Sequence, residues 1–160
     1  MKIWKKILGI GLAVGLSVGM SLAPVYADTI SILDEITDEE TTEDWAEDTS
    51  TILARSSNLS FGTARIKRLA SNEIVIYGLT ACHKKCSKVY LSLYLERKVN
   101  GSYGTYKYWN FTANNVDELE KEIDVAVPSG TYYRVRGYHA ASNAGVKEST
   151  STLTSGIMVK

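Results

Sequence analysis

The sequence predicts an all-β domain, a two-sheet antiparallel sandwich of about seven strands, carried behind two segments of different character. Three observations lead there. Over residues 55–160 apolar and polar side chains alternate in short runs, the period of two that a half-buried strand requires. Turn residues punctuate those runs at Ser71-Asn72, Asn100-Gly101, Pro128-Ser129-Gly130 and Asn143-Ala144-Gly145, as expected between short strands. At 160 residues, 44% hydrophobic and 22% charged, the chain has room for one such domain plus tails, and its composition is that of an ordinary globular protein.

The formal net charge of zero hides a segregation of charge. Residues 1–27 carry Lys2, Lys5, Lys6 and no acid, so +3. A positive start, the apolar run Ile7 to Ala23 and the small residues of Val25-Tyr26-Ala27 make a signal peptide cleaved between Ala27 and Asp28. The competing reading is a membrane anchor at the lower limit of spanning length, which the glycines and Pro24 oppose. Residues 28–54 hold ten acids and no base. They read as a disordered acidic linker or arm, because the scattered Ile30, Ile32, Leu33, Ile36 and Trp45 cannot repay the entropy of folding. Such an arm is either a solubilising spacer or a binder of basic surfaces, including the domain's own. Residues 55–160 carry +7 and form the β domain. The mature protein is expected outside the cell, free of the membrane, without a lipid or sortase anchor.

The strands are justified in order. Leu59 to Leu69 is the first, and Ile74 to Thr80 the second, its inward side left open by the run Ile74-Val75-Ile76-Tyr77. Ser87 to Lys98 follows, with Val89, Leu91, Leu93 and Leu95 inward and Tyr90, Ser92, Tyr94 and Glu96 outward. Asn100-Gly101 is a strong hairpin signal. Tyr103 to Ala113 alternates Lys107, Trp109 and Phe111 against Tyr106, Tyr108 and Asn110. Val116 to Lys121 reads as a helical turn, after which Ile123, Val125 and Val127 alternate as a strand. The sixth strand follows Gly130, with Tyr133, Val135 and His139 inward and Tyr132, Arg134, Arg136 and Tyr138 outward. Lys147 to Val159 is the last, interrupted at Ser155-Gly156. A Tyr just after a turn in the penultimate strand resembles an immunoglobulin-like sandwich. Roughly 15 inward apolar side chains at about 1.5–3 kcal/mol each suffice for a core without metal or disulfide.

Several stretches also resemble a known group. Ala54-Arg-Ser-Ser-Asn-Leu-Ser60, Gly78-Leu-Thr-Ala81, Leu93-Tyr-Leu-Glu-Arg97 before Asn100-Gly101-Ser102-Tyr103, Tyr132 to His139, and Glu148-Ser-Thr150 with Ser155-Gly-Ile157 are similar to a domain-of-unknown-function family of small exported proteins of Gram-positive bacteria. The likeness covers residues 54–160. It implies export and a β-sandwich, and it carries no catalytic residue. Part of the sixth strand also resembles fibronectin type III domains.

Cys82-His83-Lys84-Lys85-Cys86 is the local motif with chemical potential. In an exported chain the pair Cys82 and Cys86 reads first as a disulfide, with free thiols or a metal site including His83 and His139 as alternatives. Four extended residues span about 13 Å, whereas bridged Cα atoms lie about 4.4–6.8 Å apart. The disulfide therefore demands a turn between the second and third strands. Catalytic motifs are missing: there is no nucleophile elbow, zinc-protease helix or phosphate loop, and His83 and His139 are the neutral-pH bases. The expectation is a non-enzymatic protein without cofactor, metal or nucleic-acid partner. If the third, fourth and sixth strands share a sheet, Tyr90, Tyr94, Tyr106, Tyr108, Tyr132, Arg134, Arg136 and Tyr138 share one outward face. That face is the candidate binding surface, for cell-wall glycan or another protein. The alternative is self-association through edge strands or the acidic arm.

Overall fold

The computed structural model describes residues 40–51 and 56–160. The segment read as a signal peptide, its expected cleavage site, and residues 28–39 and 52–54 of the acidic segment lie outside the described residues. Eight strands follow in order: β1 Glu40–Thr41, β2 Trp45–Thr51, β3 Leu59–Ala70, β4 Glu73–Val99, β5 Ser102–Ala126, β6 Thr131–Asn143, β7 Val146–Leu153 and β8 Gly156–Val159. The described residues are all-β, with no helix.

The strands belong to one mixed sheet, nearly closed into a barrel, instead of two separate sheets. Its order is β1-β8-β6-β4-β3-β2, with β5 also on β4 and β7 also on β6. All pairs are antiparallel except β1 with β8. The difference from the expected sandwich lies in β4 and β5. The second and third expected strands are one 27-residue strand, and the fourth and fifth are one 25-residue strand. The first half of β4 pairs with β3, the second half with β6, and β5 flanks both halves.

Both long strands bend at the same level. From Ala81↔Glu118 to Cys86↔Val116, β4 advances five residues while β5 advances two. This large bulge bends the strand without ending it. Asn115 supplies the matching kink in β5 with φ 56°. The sequence from Cys82 to Cys86 is therefore a bulge and not the expected turn, and Val116 to Lys121 is strand and not a helical turn. Past the bend the two halves face each other. A Cβ on Gly78 would meet Leu93 Cδ2 at 2.7 Å, so the first half of β4 packs against its own second half.

The core lies in that fold. Ile74 and Ile76 point inward, which resolves the ambiguous run, and they cluster with Leu91, Leu93, Leu95, Val135 and Ile157. The predicted turns appear where expected: Asn100 and Gly101 both have positive φ, as do Ala144 and Gly145, and Gly130 follows Pro128-Ser129. Paired positive φ values match the twist of tight hairpins.

Part of the acidic segment is ordered, against the expectation of a disordered linker. β2 pairs with β3 from Trp45↔Lys67 to Thr51↔Phe61, and Ala46 enters the core. Its acids find partners on the domain: Asp44 pairs with Arg68, Glu47 with Arg65, and Asp48 Oδ2 accepts the Leu153 N–H at 2.7 Å. Residues 40–51 thus meet the domain's basic charge, and Ala46 alone supplies the apolar contact of β2 to the core once the β3 edge provides the hydrogen bonds.

Candidate functional site: the tyrosine and arginine face

The outward face of β4, β5 and β6 forms because their registers align. Tyr94 stands directly between Tyr108 of β5 and Arg136 of β6, and Glu96 stands beside Arg134. Tyr94 and Tyr108 stack with centroids 6.2 Å apart. The Arg136 guanidinium lies 4.5 Å from the Tyr94 ring centre, and that of Arg134 lies 4.0 Å from Tyr103. Lys147 reaches both Tyr90 and Tyr138, and Lys98 reaches Tyr132 and Tyr103.

Glu96 organises this array. It is 7% exposed, and its two oxygens accept from Arg134 Nε at 2.8 Å and Arg136 Nε at 3.0 Å. A buried carboxylate requires such partners. Each arginine is thereby held by its Nε while its plane lies over a tyrosine. Lys98 pairs with Glu40 of β1, which also accepts from the Tyr103 hydroxyl at 3.4 Å, so the acidic segment borders the face.

Seven of the eight predicted residues come together here, and Tyr106 does not. The β4–β5 register shifts between Leu95↔Lys107 and Glu96↔Thr105, leaving Tyr106 as the extra residue. Its ring meets inward Tyr133 edge-on at 6.1 Å and lies 6.0 Å from Arg97. A one-residue bulge had moved it to the other side of the sheet. Tyr103, Glu96 and Lys98 join the face unpredicted. The outward parity of Glu96 was legible in the sequence, but its role between two arginines depends on cross-strand register.

The remaining candidates sit elsewhere. His139 is fully buried, with Nδ1 3.1 Å from Thr80 Oγ1 and Nε2 2.8 Å from Thr152 Oγ1. Burial lowers its pKa to about 4, so the interior holds a neutral imidazole out of reach of solvent. Cys82 and Cys86 are free thiols in the bulge, the first half-buried and the second buried. Burial, with the neighbouring Cys86 thiol adding to it, raises the Cys82 pKa to about 12. His83 is exposed on the bulge, its N–H donating to Asn58 O at 2.9 Å. Among the described residues no three His, Cys, Asp or Glu side chains are grouped to hold a metal ion.

One site escaped the sequence reading. Glu148 of β7 accepts from the backbone N–H groups of Ser57, Asn58 and Leu59 and from the Ser56 hydroxyl. These donors, led by Ser56, hold its pKa down to about 2. Glu148 shares the side of Thr150 and Thr152 in a Ser/Thr-rich strand, and a lone Glu there gives no sign of a partner about ninety residues away.

The geometry defines an all-β protein class: one bent mixed sheet, nearly a barrel, with a tyrosine and arginine lattice on one outer face. Within that class, the chain belongs to a family of unknown function, DUF6147, whose pattern matches residues 21–157. No curated protein matches it. Among solved structures it is similar to Spo0M, a sporulation control protein from Bacillus subtilis, at 14% identity and TM-score 0.37, over 72% of this chain and 50% of that one. The chain thus spans half the length of that protein. It is also similar to chicken MD-1 complexed with lipid IVa, at 12% identity and TM-score 0.31, over 71% of this chain and 91% of that one.

Proposed function

We propose that this is an exported, non-enzymatic binding module that uses the tyrosine and arginine face to hold a cell-wall glycan or another protein. Export rests on the sequence of residues 1–27, with maturation at Asp28. The observation that carries the binding reading is the Glu96 clamp. Arginines fixed through Nε and laid over tyrosines lose little rotamer freedom on binding, which lowers the entropic cost of recognition. Flat aromatic rings and planar cations stack on sugar rings or join a protein interface. The plainer reading is that cross-strand pairs of this kind only stabilise an outer sheet face, at ~0.2–1 kcal/mol each.

Retention of the secreted chain on producer cell walls, compared with a triple variant Tyr94→Ser, Tyr108→Thr and Arg136→Gln, decides between them. A binding face loses retention while the melting temperature moves by a few degrees at most. Retention that survives alongside a stability loss of about 2 kcal/mol, the sum expected of several such pairs, removes the binding reading.

A further inference from the structure

Along its whole length β5 pairs on one side with β4, and among the described residues no other strand pairs with it. The opposite side is a long row of backbone donors and acceptors. Such an edge templates another strand unless proline, charge or a bulge blunts it. β5 contains no proline. Glu118, Glu120, Glu122 and Asp124 alternate along its second half, all exposed, while Tyr108, Asn110 and Thr112 alternate along its first half. On the inner side Trp109, Phe111, Ala113, Val116 and Ile123 pack on the core but are only partly buried.

We propose that β5 pairs with β5 of a second copy of this chain, antiparallel, about a two-fold axis at Asn115. The bend selects this arrangement. β5 is folded back so far that Lys107 Nζ donates to Ala126 O at 3.3 Å and Lys121 lies 5.6 Å from the Phe111 ring centre. A two-fold axis bisecting that bend lays the first half of each strand on the second half of the other. Both halves then pair at once, and each layer continues into the opposite layer of the partner in an isologous contact.

Charge selects the same arrangement. A register that brings the two acidic halves together sets carboxylates opposite each other, which is destabilising. The two-fold axis at Asn115 instead places Tyr108 opposite the partner's Glu122, Asn110 opposite the partner's Glu120, and Thr112 opposite the partner's Glu118. Each carboxylate meets a hydroxyl or amide donor. On the inner side Trp109 faces the partner's Lys121 and Phe111 faces the partner's Leu119, which covers the apolar groups left half-exposed in one copy. The pairing and the tyrosine and arginine face share Tyr108, whereas Asn110 belongs to the β5 edge and not to that face, so substitutions at Asn110 separate the two readings.

Sedimentation velocity of the secreted chain over a concentration series tests it, with Asn110→Glu and Asn110→Lys as variants. Asn110 is exposed, and unchanged circular dichroism of dilute samples verifies that both variants fold. The expected result is a concentration-dependent dimer that Asn110→Lys tightens and Asn110→Glu weakens, by about tenfold across the two symmetric pairs. A wild-type monomer up to the solubility limit overturns the proposal and means that the acids and the Asn115 bulge blunt the edge. A dimer that responds equally to both variants overturns it too, since its interface then lies elsewhere.

Discussion

Gly62 and Gly137 leave room for the buried imidazole of His139. A Cβ on Gly62 would meet the ring at 2.3 Å and one on Gly137 would meet Nε2 at 2.5 Å, whereas at Gly104 it would meet nothing. Gly62→Ala is therefore expected to cost ~1–3 kcal/mol of overpacking and Gly104→Ala almost nothing, as measured by chemical denaturation. The same residues make stability depend on pH. His139 has its folded pKa lowered from 6.5 to about 4, so the unfolded state binds its proton first. Its contribution is complete above pH 6.5 and is lost as pH falls through about 4. Glu148 is lowered from 4.5 to about 2, so its contribution is complete above pH 4.5 and fades towards pH 2. Melting temperature should fall on acidification in two overlapping stages. His139→Gln should flatten the upper stage, and Glu148→Gln the lower one, at a cost of about 1 kcal/mol near neutrality for a half-buried, charge-assisted cluster that solvent partly screens. A melting temperature independent of pH from 7 to 3 would contradict both assignments. That His139 points inward was legible from its parity with Tyr133 and Val135; its two threonine partners were not, because they come from β4 and β7.

At the scale of the element, the decisive features are the bulges in β4 and β5. The sequence shows a break in alternation at Cys82 to Cys86 and again near Asn115, and a break reads equally as a turn or a bulge. Pairing of β4 with β3 before the irregularity, with β6 after it and with β5 along its other side carries the strand through, and β3, β5 and β6 come from separate parts of the sequence. The same bulge gives the chain the shortened path a Cys82–Cys86 bridge needs. In an oxidising exterior we expect the two to be joined, at the low end of the usual ~2–4 kcal/mol because the loop is short. Thiol labelling of the denatured secreted chain should find no free thiol, and two labelled cysteines would refute the bridge. With the Cys82 thiol raised to about 12, little thiolate exists near neutrality, so uncatalysed oxidation of reduced protein should be slow. At Tyr106 a single extra residue decides the outcome. Alternation put it beside Tyr108, yet the register shift at Leu95/Glu96 sends it towards Tyr133.

For the whole molecule, the near-closure of the sheet matters most. β2 and the segment before β3 both reach β7: Ser50 Oγ meets Thr150 Oγ1 at 2.5 Å, Asp48 accepts the Leu153 N–H, and Glu148 gathers Ser57 to Leu59. The acidic segment is thus part of the seam. A chain that begins at Arg55 should melt about 10 °C lower than one that begins at Asp28, since a loss of ~2–3 kcal/mol corresponds to several degrees per kcal/mol in a domain of this size. Equal melting temperatures would mean that β2 adds nothing to the domain.

Alone, the sequence determined the all-β class, the tight turns at Asn100-Gly101 and Ala144-Gly145, the inward leucines of Val89 to Leu95 and the alternation of β6. Those features depend on local backbone preference and on a period of two, both written within a few residues. Only the tertiary structure decided that the strands form one bent sheet, that residues 40–51 close it, that Glu96 clamps Arg134 and Arg136, and that Tyr106 leaves the face. Each of these depends on register between segments far apart in the chain. A shift of one residue in that register moves a side chain to the opposite face, and no local pattern records it.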